Sequence, residues 1–340
     1  MITQKLIAEK AGVSYATVSR ALTHSAKVRP ETMHLIRRAM NELGLTHDEQ
    51  VFLGRNNLSK MVLVIVGDIL KEFFANIIVG IHDQLTPLGY AIILCNSHYE
   101  SKVELDYLRN AQENNYAGVI MITASETDGL VSFLQTATIP VVLVNRYIRS
   151  LDLDVVRIDN YRGGYLAAQH LMEQGHRRIA FLSGPRASAA NEDRLRGFMH
   201  AMVDNGLHLD ADRDVVYGDL SRQSGKAFAD WLVHRDFTAA FISNDYMTAG
   251  AVHQLIKLGR RIPEDYSVIS FDDSALINED GLNITTISFE PAVMGKTAAE
   301  TLLKRIENPL GRHVKIIYSP VFTQRNSVRQ ICQEDRPATG

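Results

Sequence analysis

Residues 14–20 read Ser-Tyr-Ala-Thr-Val-Ser-Arg, side chains of the kinds that read the edges of base pairs. Arg20 can bond guanine at two points, Ala16 can touch a thymine methyl, and Tyr15 offers both a ring and a hydroxyl. Such groups work only when one rigid element carries them on its outer face. Val18 and Leu22, four residues apart, supply the apolar side of a helix that Ser14 can cap, which leaves Tyr15, Ala16, Ser19 and Arg20 outward. Upstream, a possible Thr3 cap followed by Leu6, Ile7, Ala8 and Ala11 marks a short helix with one apolar side, and Gly12 can end it. Two short helices joined by a glycine turn form a helix-turn-helix, which lays its second helix in the DNA major groove. A helical pair packed on a larger domain is the plainer alternative.

A third helix over 28–43 would close a small core. Pro30 suits its first turn, Glu31 its positive end, Leu35, Ile36, Ala39, Met40 and Leu43 form the apolar stripe, and Gly44 ends it.

The string Ala-Gly-Val-Ser-x-x-Thr-Val-Ser-Arg at 11–20 resembles the N-terminal motif of the LacI/GalR family of bacterial repressors. The similarity runs over nearly the whole chain. It implies that Thr17, Thr23 and Lys27 lie near the DNA backbone, where hydroxyls and cations hold phosphate without reading sequence. With Ser14, Tyr15, Ala16, Ser19 and Arg20 they make the candidate DNA-binding set. The head departs from the family at Gln4, Leu6 and Met33. The linker departs more: the family carries Tyr-x-Pro-Asn-x-x-Ala-Arg-x-Leu, a hinge helix that wedges a leucine into the minor groove. Here 45–54 reads Leu-Thr-His-Asp-Glu-Gln-Val-Phe-Leu-Gly, without the proline and asparagine and with glycine at the wedge position. Either Phe52 or Leu53 serves as the wedge, or the linker binds without intercalating.

Charge agrees with a nucleic-acid-binding end. Residues 1–60 hold nine Lys and Arg against five Asp and Glu, while the 340-residue chain carries −3, which leaves the remainder at −7. A composition 46% hydrophobic and 22% charged gives two or three domains with sizeable cores. Cys95 and Cys332 are too few for a disulfide framework or zinc site. No basic-then-apolar leader is present, and no apolar run nears the roughly 18 residues of a membrane span. A cytoplasmic protein free of metal and cofactor is expected.

From residue 61 the pattern becomes α/β. Apolar runs of strand length at 61–66, 90–95, 118–122 and 141–144 alternate with helical patterns, and a second series follows at 178–182, 214–217, 239–243 and 267–271. Buried strands alternating with helices imply doubly wound parallel sheets. The expected fold is an α helix-turn-helix head plus two doubly wound parallel-sheet α/β lobes, an architecture that the resemblance likens to a periplasmic binding protein. The expected divisions are a head over 1–45, a linker over 46–60, an N-lobe of 61–159 with 289–320, a C-lobe of 160–288 with 321–330, and a tail over 331–340. The chain would cross between lobes near Asn160, Phe289 and Pro320.

Two open sheets in series place a ligand cleft at their strand ends. The resemblance implies that Phe73 and Phe74 face the ligand, that Arg194 binds it, and that Leu220 stands where an aromatic platform is frequent. Asn145, Arg146, Asn244 and Asp272 follow predicted strands and, with Asp159 further along the first lobe, complete the candidate effector-binding set, whereas Asp245 and Asp273 read as helix caps or lobe contacts. Asp, Asn and Arg can each hold two neighbouring hydroxyls, and an aromatic face covers the apolar side of a sugar ring. A carbohydrate effector is therefore expected, with a purine as the alternative.

Catalysis finds little support. No Gly-x-Gly-x-x-Gly follows a strand, Ser224-Gly225-Lys226 lacks the first P-loop glycine because Leu220 occupies its place, and no histidine pair has metal-site spacing. Asp272 and Asp273, as strand neighbours, would point to opposite faces. The reading is a transcriptional regulator: a homodimer on a pseudo-palindromic double-stranded DNA operator, its affinity controlled by the effector. The resemblance places the dimer interface on a helix at about 74–88 and on part of the second lobe. A sugar-binding protein with a degenerate head is the alternative.

Overall fold

The computed structural model describes residues 4–23, 28–44, 59–278 and 283–331, with the side chains of Leu22 and Thr23 outside that set. In the head, helix α1 (Gln4–Ala11) stops at Gly12, whose φ of 65° is the left-handed conformation glycine adopts without penalty. Ser14 then accepts a hydrogen bond from the Thr17 amide at 3.1 Å, which caps α2 (Tyr15–Thr23). Helix α3 (Pro30–Glu42) begins on its proline. Ile7, Ala8, Val18, Ala21, Ile36 and Met40 close the core between the three. Two leucines expected inside are not: Leu6 is 41% and Leu35 49% exposed, while Gln4 is buried. The inward face of α1 is Gln4, Ile7, Ala8 and Ala11, the i, i+3, i+4, i+7 row, and Leu6 lies off it.

The remainder builds two sheets. The chain runs β1 (Ser59–Val66), α4 (Glu72–Leu85), β2 (Ala91–Asn96), α5 (Ser101–Glu113), β3 (Tyr116–Met121), α6 (Asp128–Thr136), β4 (Val141–Val144) and β5 (Asp154–Ile158). It continues as α7 (Asn160–Glu173), β6 (Ile179–Ser183), α8 (Ala189–Asp204), α9 (Ala211–Asp214), β7 (Val215–Tyr217), α10 (Arg222–Leu232), β8 (Ala239–Ile242), α11 (Asp245–Lys257) and β9 (Ser267–Phe271). It closes with β10 (Thr285–Ser288), α12 (Pro291–Glu307), β11 (Lys315–Tyr318) and β12 (Val321–Thr323). The N-lobe sheet has the order β11-β5-β4-β3-β1-β2 and the C-lobe sheet β12-β10-β9-β8-β6-β7. Every pairing is parallel except β12 against β10. The chain passes from one sheet to the other between β5 and α7, between β10 and α12, and between β11 and β12.

Continuous apolar runs make central strands because both sheet faces are covered. Val62, Val64 and Val66 enter one core layer, Leu63 and Ile65 the opposite one. Strands β5, β10, β11 and β12 lack such runs and are not apparent in the hydropathy pattern. Strands β11 and β12 lie at sheet edges, half exposed, and β10 begins with two buried threonines.

Three helix pairs touch backbone to backbone. A Cβ built on Gly164 of α7 would fall 1.9 Å from the Arg194 carbonyl oxygen, and one on Gly197 of α8 2.0 Å from that of Tyr161. The same reciprocity joins α10 to α11 through Gly225 and Gly250, and α4 to α12 through Gly80 and Gly295. These contacts fix the helix starts that line the space between the lobes. Among the described residues no helix is long and apolar enough to cross a membrane.

Candidate functional site

The outer face of α2 presents Tyr15, 52% exposed, with Ala16 and Arg20 beside it, while Val18 and Ala21 point inward. Ser14 and Thr17 are joined through their hydroxyls at 2.8 Å, so they shape the turn as well as facing outward. Ser19 is half-buried. The Thr23 side chain, Lys27, Phe52 and Leu53 lie outside the described residues.

Between the lobes, the segments that follow β1, β4, β6, β7, β8 and β9 converge on a narrow cleft, as expected where parallel strands end. Lys71, Phe73, Phe74, Asn145 and Arg146 form the N-lobe wall. Opposite them stand Ser188, Asn191 and Arg194 at the start of α8, with Leu220, Asn244, Asp245 and Asp272. Three of these residues, Asn145, Leu220 and Asp272, have φ of 63°, 66° and 66°. Left-handed backbone is costly for side chains other than glycine, and its clustering at a cleft marks a functional site. At Asn145 it has a visible consequence: the chain turns directly after β4, so Asn145 and Arg146, which an extended strand would send to opposite faces, both reach the cleft.

Arg194 is held before any ligand arrives. Its Nε donates to Asn160 Oδ1 at 2.8 Å, Nη1 donates to the Ser243 carbonyl, and the guanidinium lies 3.5 Å from the centre of the Phe271 ring. Burial lowers its pKa to about 10, against the opposing pull of Asp272. Burial likewise raises Asp272 to about 7, with Arg194 opposing. The two attract each other without forming a direct ion pair. Asn145 and Asn191, 7% and 3% exposed, each carry an amide atom without a partner, Oδ1 and Nδ2 respectively. An unpaired buried polar atom costs about 1–3 kcal/mol, so such atoms at a cleft are positions for a ligand to satisfy.

The cleft is closed. Lys71 Nζ reaches across to the Leu220 carbonyl at 3.4 Å and lies over the rings of Tyr99 and Tyr246, at 5.2 and 5.7 Å from their centres. Tyr246 donates to the Leu70 carbonyl at 3.0 Å, and the Ala275 amide to Glu72 at 3.1 Å. On the opposite rim Tyr147 bonds Asp193, and Arg149 bonds both Glu192 and Asp193. The space left is about 40 Å³. Pockets for small molecules run to about 300–1,000 Å³, so occupancy requires the lobes or their side chains to move.

Asp159 does not join this wall. Its carboxylate accepts from the Arg162 amide at 2.9 Å and caps α7, because an aspartate preceding a helix has a nearer donor than any cleft ligand. Asn244 has two roles, capping α11 through the Met247 amide at 2.9 Å while lining the cleft. Asp245 lines the cleft and is therefore more than a cap, whereas Asp273 is bound by both terminal nitrogens of Arg325 at 2.8 Å. Lys71, Asn160, Ser188 and Asn191 are the additions. Asn191 had a signal, since it precedes Arg194 by one helical turn on the same face. Among the described residues no group of three His, Cys, Asp or Glu side chains can hold a metal ion.

A helix-turn-helix head joined to two open sheets with a polar cleft between them is the build of a ligand-responsive DNA-binding regulator. Residues 3–47 match the family described as bacterial regulatory proteins, lacI family, and residues 168–328 match the periplasmic binding protein-like domain. The HTH-type transcriptional repressor PurR of Vibrio vulnificus is 31% identical over 336 residues, covering 97% of this chain and 100% of that protein. The structure of a transcriptional regulator CelR-cellobiose complex matches with a TM-score of 0.74 and 29% identity, over 96% of this chain and 100% of that one. A LacI family regulator from Enterococcus faecium with bound ribose gives a TM-score of 0.71 and 29% identity, over 80% and 100%. The chain belongs to the lacI family of bacterial regulatory proteins.

Proposed function

We propose that this chain is a cytoplasmic homodimeric repressor whose affinity for a pseudo-palindromic operator is set by a carbohydrate bound in the cleft. The observation that carries the reading is the pair of buried, unpartnered amide atoms, Asn145 Oδ1 and Asn191 Nδ2, on residues that line the cleft with Arg194 and Asp272. Amides and carboxylates at this spacing hold vicinal hydroxyls, and Phe73 and Phe74 offer apolar faces. Cellobiose and ribose in the two related structures support the sugar class. Leu220, in place of an aromatic platform, disfavours a stacked purine.

The effector acts by changing the relation of the lobes. Entry displaces Lys71 and loosens the rim contacts of Tyr246, Glu72, Tyr147 and Arg149, and the ligand's own bonds then select a new closure. The spacing of the linkers, and with it the fit of two heads about one DNA turn apart, follows. Tyr15, Ala16 and Arg20 read bases, and Ser14, Thr17, Ser19, Thr23 and Lys27 hold phosphates. Phe52 or Leu53 wedges the minor groove. Exposed Val79 on α4, Leu88 after it and Leu94 on edge strand β2 support a dimer face on the N-lobe. The ligand leaves chemically unchanged, since Asp272 and Asp273 do not act on one site.

Fluorescence anisotropy on palindromic fragments from DNA flanking the gene, at two salt concentrations, tests the proposal. Specific binding altered by one sugar is expected. Sequence-blind binding that vanishes with salt and ignores every sugar overturns it.

A further inference from the structure

Arg146 stands apart from the other charged groups of the cleft. Arg194 is tied to Asn160, the Ser243 carbonyl and the Phe271 face, and Lys71 to the Leu220 carbonyl and two tyrosine rings. The guanidinium of Arg146 lines the same cleft yet, among the described residues, makes no hydrogen bond and no ion pair. It is half-buried by exposed area but enclosed by protein, which displaces its pKa downward. The groups that face it are the Tyr99 hydroxyl, the Glu104 carboxyl and the like charges of Lys71 and Arg194. Glu104 attracts Arg146 from outside the cleft lining: it is fully buried and accepts from the Ser125 amide at 3.1 Å and from Ser97 Oγ at 3.5 Å. The two carboxylates of the cleft wall, Asp245 and Asp272, are electrostatic neighbours of Lys71, and Asp272 also of Arg194; neither acts on Arg146.

Three cations therefore line the cleft against two carboxylates, and Arg146 is the one whose carboxylate neighbour, Glu104, lies outside the lining. Five N–H donors in a planar fork are unsatisfied there. Neutral hydroxyls can accept from these donors but leave the excess positive charge of the cleft wall unbalanced, which is costly once the lobes exclude water. A carboxylate or phosphate satisfies both donors and charge in the paired geometry that guanidinium favours.

We propose that the effector is an acidic sugar derivative, whose carboxylate or phosphate seats on Arg146 while its hydroxyls bond Asn145, Asn191 and the Arg194–Asp272 pair. This rests on reading the cleft as the effector site. Asn145 and Arg146 act together: the left-handed turn at Asn145 presents a hydroxyl acceptor and an anion receptor side by side. Lys71, on the same wall, supplies a second positive charge toward the anion once it is displaced from Leu220.

The test is calorimetric titration of the full-length chain with matched series, followed by operator anisotropy with every compound that binds. Glucose is compared with gluconate, glucuronate and glucose 6-phosphate, galactose with galacturonate and galactose 1-phosphate, and ribose with ribose 5-phosphate. One acidic member is expected to bind at least about tenfold more tightly than its neutral parent, and the carboxylate and phosphate arms identify the anion. Losing a charged hydrogen-bond donor weakens binding by roughly ten- to hundredfold, so Arg146→Gln should lose that much for the acid and little for the parent. Arg146→Lys, which keeps the charge, should lose less, and it decides the matter if Arg146→Gln does not fold by circular dichroism. A neutral sugar that binds as tightly as its acid and shifts operator affinity overturns acid recognition while the regulator reading stands. An acid that binds Arg146→Gln unchanged does the same. If no compound binds, both readings fall.

Discussion

The head and the cleft solve recognition in opposite ways. In the head, the residues proposed to read bases, Tyr15, Ala16 and Arg20, are exposed, and the core of Ile7, Val18, Ile36 and Met40 lies behind them without sharing a side chain. In the cleft, the groups proposed to recognise the effector are part of the core: Arg194 is 6% exposed, lies on Phe271 and shares its helix with the glycine contact that fixes α7 to α8. Substitutions should therefore separate function from stability in the head and confound them in the cleft.

Arg194→Ala should show the largest effect. Removing one partner from a buried charged network costs about 3–5 kcal/mol, and Asn160 and the Ser243 carbonyl lose their donors. Thermal denaturation should show a lower melting temperature, and calorimetry no effector binding even where the variant is folded. Gly164→Val follows: a branched side chain against the Arg194 carbonyl forces α7 from α8, at about 1–3 kcal/mol or more. Its melting temperature should fall while operator binding by the folded fraction is kept, and an unchanged melting temperature would contradict the tight contact.

Arg20→Ala should do the converse. A bidentate contact to a base is worth about 1–3 kcal/mol, so operator affinity should fall while melting temperature and effector affinity hold. If melting temperature fell with it, Arg20 would be a structural group and the contrast would fail.

The smallest effect is one of pH. Asp272 has a folded pKa of about 7 against an ordinary 3.8, so the folded chain keeps a proton that the unfolded chain releases. Stability then falls as pH rises between those values and stays at its lower level above. His176, which burial drives down to about 4 from 6.5, has the opposite slope below its ordinary value. From about pH 8 down to 6.5, above the ordinary value of His176, the Asp272 carboxyl should raise the melting temperature, and Asp272→Asn should reduce that rise. Equal slopes in the two proteins would place Asp272 among solvated carboxylates.

The same contrast explains what could be read without coordinates. The head is written in local terms: Ser14 three residues before Thr17, Gly12 at a helix end, and Val18 on the inner face of α2. Its errors, Leu6 and Leu35, are hydrophobic residues that a three-helix core of this size leaves outside. Buried central strands such as β1 are equally legible because both faces are covered, whereas β5, β10 and the edge strands β11 and β12 have no continuous run to betray them. The cleft is harder. Asp159 and Asn244 both precede helices and read alike, yet only Asn244 reaches the cleft. Lys71 and Asn191 line the cleft from positions far apart in the chain, and no spacing rule connects them. The family resemblance points to Arg194, and the end of a predicted strand to Asp272; nothing else local distinguishes either from a surface charge.

The central claim is that these two recognisers, built on different principles, are coupled through the relation of the lobes. Binding linkage gives it a direct measurement: operator affinity with and without saturating effector, and effector affinity with and without saturating operator, both on the full-length chain. Each ligand should change the other's affinity by one common factor, clearly different from one. Tight effector binding with operator affinity unchanged would contradict the account, leaving a sugar-binding protein whose head reads DNA independently of its cleft.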